Sequence, residues 1–156
     1  MSFLKEAEVN FSNLQANEYP GRGIVIGTSP CGKYLVQVYW IMGRSENSRN
    51  RIFVLEDSGF LKTKAFDESR CSDPHLIIYY PARHIITNGD QTDTIYEGLQ
   101  NGLSFESSLV TREYEDDAPN FTPRISGIVY KDSEEALYKL SILKSRSNSE
   151  NAGCMR

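Results

Sequence analysis

Apolar positions along the chain fall into short runs bounded by glycine, proline and small polar residues, a pattern of strands with two helical interruptions. Residues 1–20 carry weak periodicity and read as an irregular lead-in. The β-branched "GRGIVIG" (21–27) is a strand between glycines. "TSPCGK" (28–33) puts Pro30 and Gly32 at turn positions, and "YLVQVYWIM" (34–42) is the strongest strand of all. Together they predict a hairpin. In the second strand Val36, Val38 and Trp40 occupy one face, and Leu35, Gln37, Tyr39 and Ile41 the other. Both faces are largely apolar, which predicts cover on both sides. "RIFVLED" (51–57), "HLIIYY" (75–80) and "RHIITNG" (83–89) are further strands, the last two parted at Pro81.

The period then changes. In "TDTIYEGLQNG" (92–102) Ile95 and Leu99 lie four residues apart, Thr92 or Asp90 can cap the start, and Gly102 can end a helix. "SFESSLVTREY" (104–114) predicts a second helix, with Phe105 and Leu109 on one face and Ser104 as cap. "RISGIVY" (124–130) and "EALYKLSILK" (135–144) return to strand, the latter with some helical character. Residues 145–156 are small and polar and read as a disordered tail. Strands, then helices, then strands predict an α+β fold of mostly antiparallel sheet with segregated helices. The 156 residues suit one domain, bounded here at 1–144.

Composition narrows the function classes. The formal net charge of −4 argues against broad nucleic-acid or anionic-membrane binding, which needs an excess of Lys and Arg. Local arginine clusters therefore point to a small anion. The three cysteines, Cys31, Cys71 and Cys154, form no Cys-x-x-Cys pair, and His75 and His84 lack ligand spacing, so neither a disulfide framework nor a metal site is expected. No apolar stretch approaches membrane-spanning length, and the start, charged at Lys5, Glu6 and Glu8, lacks a signal core. The expected compartment is the cytosol, where the sequons at Asn10 and Asn120 would carry no glycan.

Three polar clusters carry candidate chemistry. Arg44, Arg49 and Arg51 follow the second strand among Ser45, Asn47, Ser48 and Asn50. Guanidinium groups bind phosphate by paired, charge-assisted hydrogen bonds, so this is a candidate monophosphate site; the alternative is a solvated loop. In "TNGDQTDTI" (87–95) the Asn88-Gly89 turn feeds a helix start, where free N–H groups favour anions and Asp93 and Thr94 could hydrogen-bond a ligand. The alternative is plain strand–turn–helix punctuation. In "REYEDDAPNFTPR" (112–124) Glu113, Glu115, Asp116 and Asp117 crowd together before Arg124. A carboxylate crowded by like charge can act as an acid or base; the alternative is a solvated acidic loop. Ser2, Cys31, Tyr79 and Tyr80 are weaker candidates.

Taken in order, "GRGIVIG", "GRSENSRNR", "IIYY", "TNGDQTDTI" and "REYEDDAPNFTPRI" resemble the archaeal-type IMP cyclohydrolases and their bacterial relatives over roughly residues 19–131. The resemblance implies a four-layer αββα sandwich like that of N-terminal nucleophile hydrolases, without the N-terminal nucleophile. It implies closure of 5-formamidoimidazole-4-carboxamide ribonucleotide (FAICAR) to IMP with loss of water, with no metal or organic cofactor. The family's catalytic arginine, tyrosine and glutamate carry over to Arg51, Tyr79 and Glu115. Arg44, Arg49 and Arg124 then become candidates for the 5′-phosphate, and Asn88, Asp93 and Thr94 for the carboxamide or ribose. Family members continue with further strands and a helix where this chain ends, so a C-terminally truncated member is expected. A missing strand would leave a sheet edge that invites homo-oligomers. Two other readings stay open: a purine-nucleotide-binding protein without catalysis, and an RNA-binding module using the arginine loop, which the acidic balance disfavours.

Overall fold

The computed structural model describes residues 2–43, 46–57, 59, 61–67, 69, 76–79, 83–131, 137–147, 149 and 152–156; for residues 47, 48, 76–79 and 83 it describes the backbone alone. Within these the chain is α+β with antiparallel pairing throughout. Strands β1 (Arg22–Thr28) and β2 (Leu35–Ile41) form the expected hairpin, with Ile24 opposite Tyr39 and Arg22 opposite Ile41. A second sheet is a meander of β3 (Arg51–Leu55), β4 (Leu61–Ala65), β5 (Leu76–Tyr79), β6 (Arg83–Thr87), β7 (Arg124–Tyr130), β8 (Tyr138–Ser145) and β9 (Cys154–Met155), each beside the next.

Helix α3 (Gln91–Gln100) and the short α4 (Phe105–Ser108) interrupt that meander between β6 and β7 and cover one face of the sheet. Alternation on β6, β7 and β8 points Ile85, Ile128 and Leu143 at the helices, where they enclose Ile95, Leu99, Phe105 and Leu109. Burial of such side chains stabilises by about 1.5–3 kcal/mol each. Gly102, at φ 79°, ends α3: its N–H donates to Leu99 O at 3.2 Å and the Leu103 N–H to Gly98 O at 2.9 Å. This paired closure needs a left-handed residue, which glycine adopts without a Cβ clash. Ser104 caps α4, its Oγ accepting from the Ser107 N–H at 3.1 Å, as expected.

The hairpin lies against the opposite face of the sheet. Gln37 Nε2 donates to the His84 carbonyl at 3.1 Å, and Arg22 Nη1 to the Asn88 carbonyl at 2.8 Å. A Cβ on Gly127 would stand 2.6 Å from Ile26 Cδ1, so the bare backbone of β7 admits β1 closely. Among the described residues the outer face of the hairpin is covered only in part. Val36 and Val38, expected to be covered, are 37% and 46% exposed and point away from the sheet.

Other local expectations are corrected as well. Residues expected to be an irregular lead-in form α1 (Phe3–Ala16), capped by Ser2 Oγ, which accepts from the Lys5 N–H at 3.4 Å. None of its residues is buried, so helix-favouring composition and a cap carry it without a packed face. The second helix is a single turn rather than a run to residue 114. The tail, expected to be disordered, contributes β9, pairing Ser145 with Cys154 and Lys144 with Met155. The arginine loop contains a turn of helix, α2 (Glu46–Arg49).

Candidate active site

Where the hairpin's open end meets the β6–α3 turn and the start of β7, a cleft of about 560 Å³ opens. Its walls include Tyr19, Arg22, Asn88, Asp117 and Thr122. The Asn88-Gly89 turn is built first. Asn88 is buried, and its side-chain oxygen accepts from Ile125 N and Gln91 Nε2, both at 2.9 Å, while its Nδ2 donates to Pro123 O at 2.8 Å. The Thr87 and Thr92 hydroxyls sit 2.5 Å apart below it, each donating to the Gly89 carbonyl at 2.8 Å. The Asn88 amide is thus spent on holding β6 to β7.

Gly89 is the convergence point. A Cβ there would lie 2.7 Å from Gln91 Oε1, 3.1 Å from Arg124 Nη1 and 3.5 Å from Glu115 Oε1. The missing side chain therefore lets an arginine and a carboxylate both approach the turn. Arg124 Nη1 also donates to Gln91 Oε1 at 3.1 Å and pairs closely with Asp90, which Arg112 bridges from the other side at 2.6 Å. Burial alone would raise the Asp90 pKa; the Arg112 hydrogen bond and the charges of Arg124 and Arg112 outweigh it and hold the carboxyl below its ordinary value.

Glu115 sits on a self-closed loop. Its N–H donates to Thr122 O at 2.9 Å, and Asp117 accepts from Thr122 N at 2.6 Å and Thr122 Oγ1 at 2.5 Å. Phe121, at φ 45°, holds a conformation uncommon outside glycine, anchored by its burial and an edge-on contact with Tyr114 at 5.9 Å. Burial pushes the Glu115 pKa above its ordinary value; Arg22 and Arg124 pull it down, Asp117 and Asp90 push it up, and the net direction is upward. Its Oε1 lies 3.9 Å from Arg22 Nη1. A partly buried, cation-flanked carboxylate with a raised pKa is suited to accepting a proton.

The structure thus brings Glu115 and Arg124 together, and adds Arg22. Arg51 heads β3, half-buried, and with Arg22 and Glu115 it acts electrostatically on the Tyr39 hydroxyl. Asp93 is on the exposed side of the first turn of α3, where burial and the neighbouring Glu97 and Asp90 raise its pKa. Thr94 is half-buried on the same helix. Arg49 is exposed and its Nε donates to Gly43 O at 3.2 Å, closing the loop on itself. Tyr79 ends β5 opposite His84; its side chain, with Arg44, His75 and Tyr80, lies outside the described residues. Among the described residues no group of three or more His, Cys, Asp or Glu is placed to hold a metal ion. No helix among them is long and apolar enough to cross a membrane.

Sequence reasoning missed Arg22 as a site residue. A lone cation in an apolar strand makes no local cluster; its only signal was its place in "GRGIVIG", the first of the motif pieces.

Fold and site together define an α+β protein with a charged cleft of a size that takes a small ligand. The chain matches the family described as IMP cyclohydrolase-like protein over residues 19–152, and it belongs to that family. It is 34% identical over 117 residues to the IMP cyclohydrolase of Methanopyrus kandleri, a match covering 69% of this chain and 57% of that protein. The chain therefore spans little more than half the length of this relative. No solved structure matches it.

Proposed function

We propose that this protein acts as an IMP cyclohydrolase, closing FAICAR to IMP. The observation that carries the reading is Glu115, its pKa raised by burial, lying 3.9 Å from Arg22 and approaching Gly89 from one side as Arg124 does from another, in a chain of this family. In the reaction the carboxamide nitrogen attacks the formyl carbon. The formyl oxygen then leaves as water, taking one proton from the carboxamide nitrogen and one from the formamido nitrogen. Both reacting groups belong to one molecule, so a cleft that holds them in contact supplies much of the rate. Glu115 accepts the carboxamide proton and relays it to the departing oxygen. Arg51 and Arg22 face the oxyanion that develops on the formyl group.

Arg44, Arg49 and Arg124 are proposed for the 5′-phosphate, with Asn88, Asp93 and Thr94 on the carboxamide or ribose side. The internal bonds of Asn88 and Arg124 make these two organisers of the turn as much as ligand groups. Tyr79 enters the catalytic set through the family resemblance alone. The reading takes a purine ribonucleotide as ligand, the cytosol as compartment and self-association at the sheet edges. It extends to the fold: the hairpin, the long sheet and α3–α4 are three layers of an αββα sandwich. The exposed Val25, Val36 and Val38 face is where the fourth would pack.

Incubation with FAICAR, with IMP followed by chromatography, tests the activity. IMP should form in proportion to protein and time, above the rate without protein. A rate no greater than that of the control, with FAICAR intact, overturns the proposal.

A further inference from the structure

One buried polar group on the hairpin's inner face, diagonal to Arg22, has no role in the reading above. Tyr39 sits on the inner face of β2, opposite Ile24 and two residues from Gln37, which is fastened to β6. Its ring packs edge-on against Phe53, with centroids 6.0 Å apart at 81°. Its hydroxyl is shut off from solvent and meets no hydrogen-bond partner among the described residues. Leaving a buried hydroxyl unpaired costs about 1–3 kcal/mol, and such groups in folded proteins are generally satisfied. A phenylalanine would fill the same volume without that penalty.

The surroundings of the hydroxyl point to its missing partner. Burial holds the phenol protonated, against the charges of Arg22 and Arg51, so it remains a donor. Arg22 is already committed to the Asn88 carbonyl and Glu115. What the hydroxyl lacks is an acceptor, in a stretch of the hairpin that Arg22 shares and where the charges of Arg51 and Glu115 are also felt.

We propose that the Tyr39 hydroxyl contacts the ligand directly, donating a hydrogen bond to the formyl or carboxamide carbonyl oxygen of the purine-precursor ribonucleotide between Arg51 and Glu115. The proposal rests on the cyclohydrolase reading and deepens it by adding a catalytic residue to that site. As the carbonyl oxygen gains negative charge during attack the bond strengthens, so its effect falls on turnover more than on ground-state binding.

The test is Tyr39→Phe, which removes one oxygen atom and keeps the ring. Turnover of FAICAR should fall about 10²-fold, the scale of one oxyanion donor, with KM nearly unchanged. The melting temperature should stay level or rise, because an unpartnered hydroxyl is gone. Wild-type turnover in the variant would overturn the proposal. So would a fall in melting temperature with turnover per folded molecule unchanged, the mark of a structural role. If the wild type forms no IMP but is stabilised by IMP in thermal melts, the cyclisation reading falls alone. Tyr39 is then judged by IMP affinity, which Tyr39→Phe should weaken about 5-fold, roughly one hydrogen bond; unchanged affinity overturns it. A wild type that neither turns over FAICAR nor is stabilised by IMP overturns both.

Discussion

The two faces of the long sheet are built from the same strands and do different work. Toward the helices, Ile85, Ile128 and Leu143 close with Ile95, Leu99 and Phe105 into an apolar layer. Toward the hairpin, the same strands meet Gln37 and Arg22, and Arg22 reaches Glu115 on the loop that precedes β7. Because side chains alternate along a strand, one sequence register serves both. The first face gains its stability from area removed from water. The second keeps charges half-buried and a hydroxyl unpaired, which costs stability, and it is the face where a ligand can change the energy balance.

Mutations should separate the faces. The largest effect belongs to Glu115→Gln: FAICAR turnover should fall about 10²–10⁴-fold, the contribution of a positioned base, while IMP affinity changes far less. Comparing kcat with the IMP dissociation constant checks this, and parallel losses in both would make Glu115 a binding group. Arg51→Lys comes next. It keeps the charge and loses the planar fork, so turnover should drop about 10–100-fold in the same assay, since losing such a contact removes about 1.5–3 kcal/mol. On the other face, Ile95→Ala should cost about 2–5 kcal/mol in denaturant unfolding, because Ile95 is fully buried, and leave turnover per folded molecule as it was. A selective loss of turnover there would dissolve the distinction between the faces.

The smallest effect is on stability against pH. The Glu115 pKa is raised on folding, so its contribution is fully present below the unfolded value and is lost as pH rises through the folded one. Glu115→Gln removes that loss. The melting temperature of the variant relative to wild type should therefore climb from mildly acidic to neutral pH, and a flat difference would mean that Glu115 is as solvated folded as unfolded.

How much of this was legible follows the same division. The apolar face was readable because its signal is local: β7 coincides with "RISGIVY", and Ile95 and Leu99 mark the buried stripe of α3. Helix α1 was missed because no packed face imposes a clear period on it. Strand β4, "LKTKA", was missed because its alternation is carried by Lys62, Thr63 and Lys64, with only Thr63 fully buried. The hairpin's outer valines were expected to be covered because alternation identifies two faces but does not say whether both find a partner. At the site, Glu115, Arg124 and Arg51 stood out as members of polar clusters. Arg22 and Tyr39 join them only when the hairpin folds onto β6 and β7, a long-range event that no local pattern announces.

The claim on which all this turns is that Glu115 is the proton acceptor of the hairpin-side cleft. The pH dependence of kcat/KM for FAICAR tests it most directly. The account predicts an acidic limb of unit slope with its midpoint above the ordinary glutamate range, and loss of that limb in Glu115→Gln. An acidic limb that persists unchanged in the variant would contradict it.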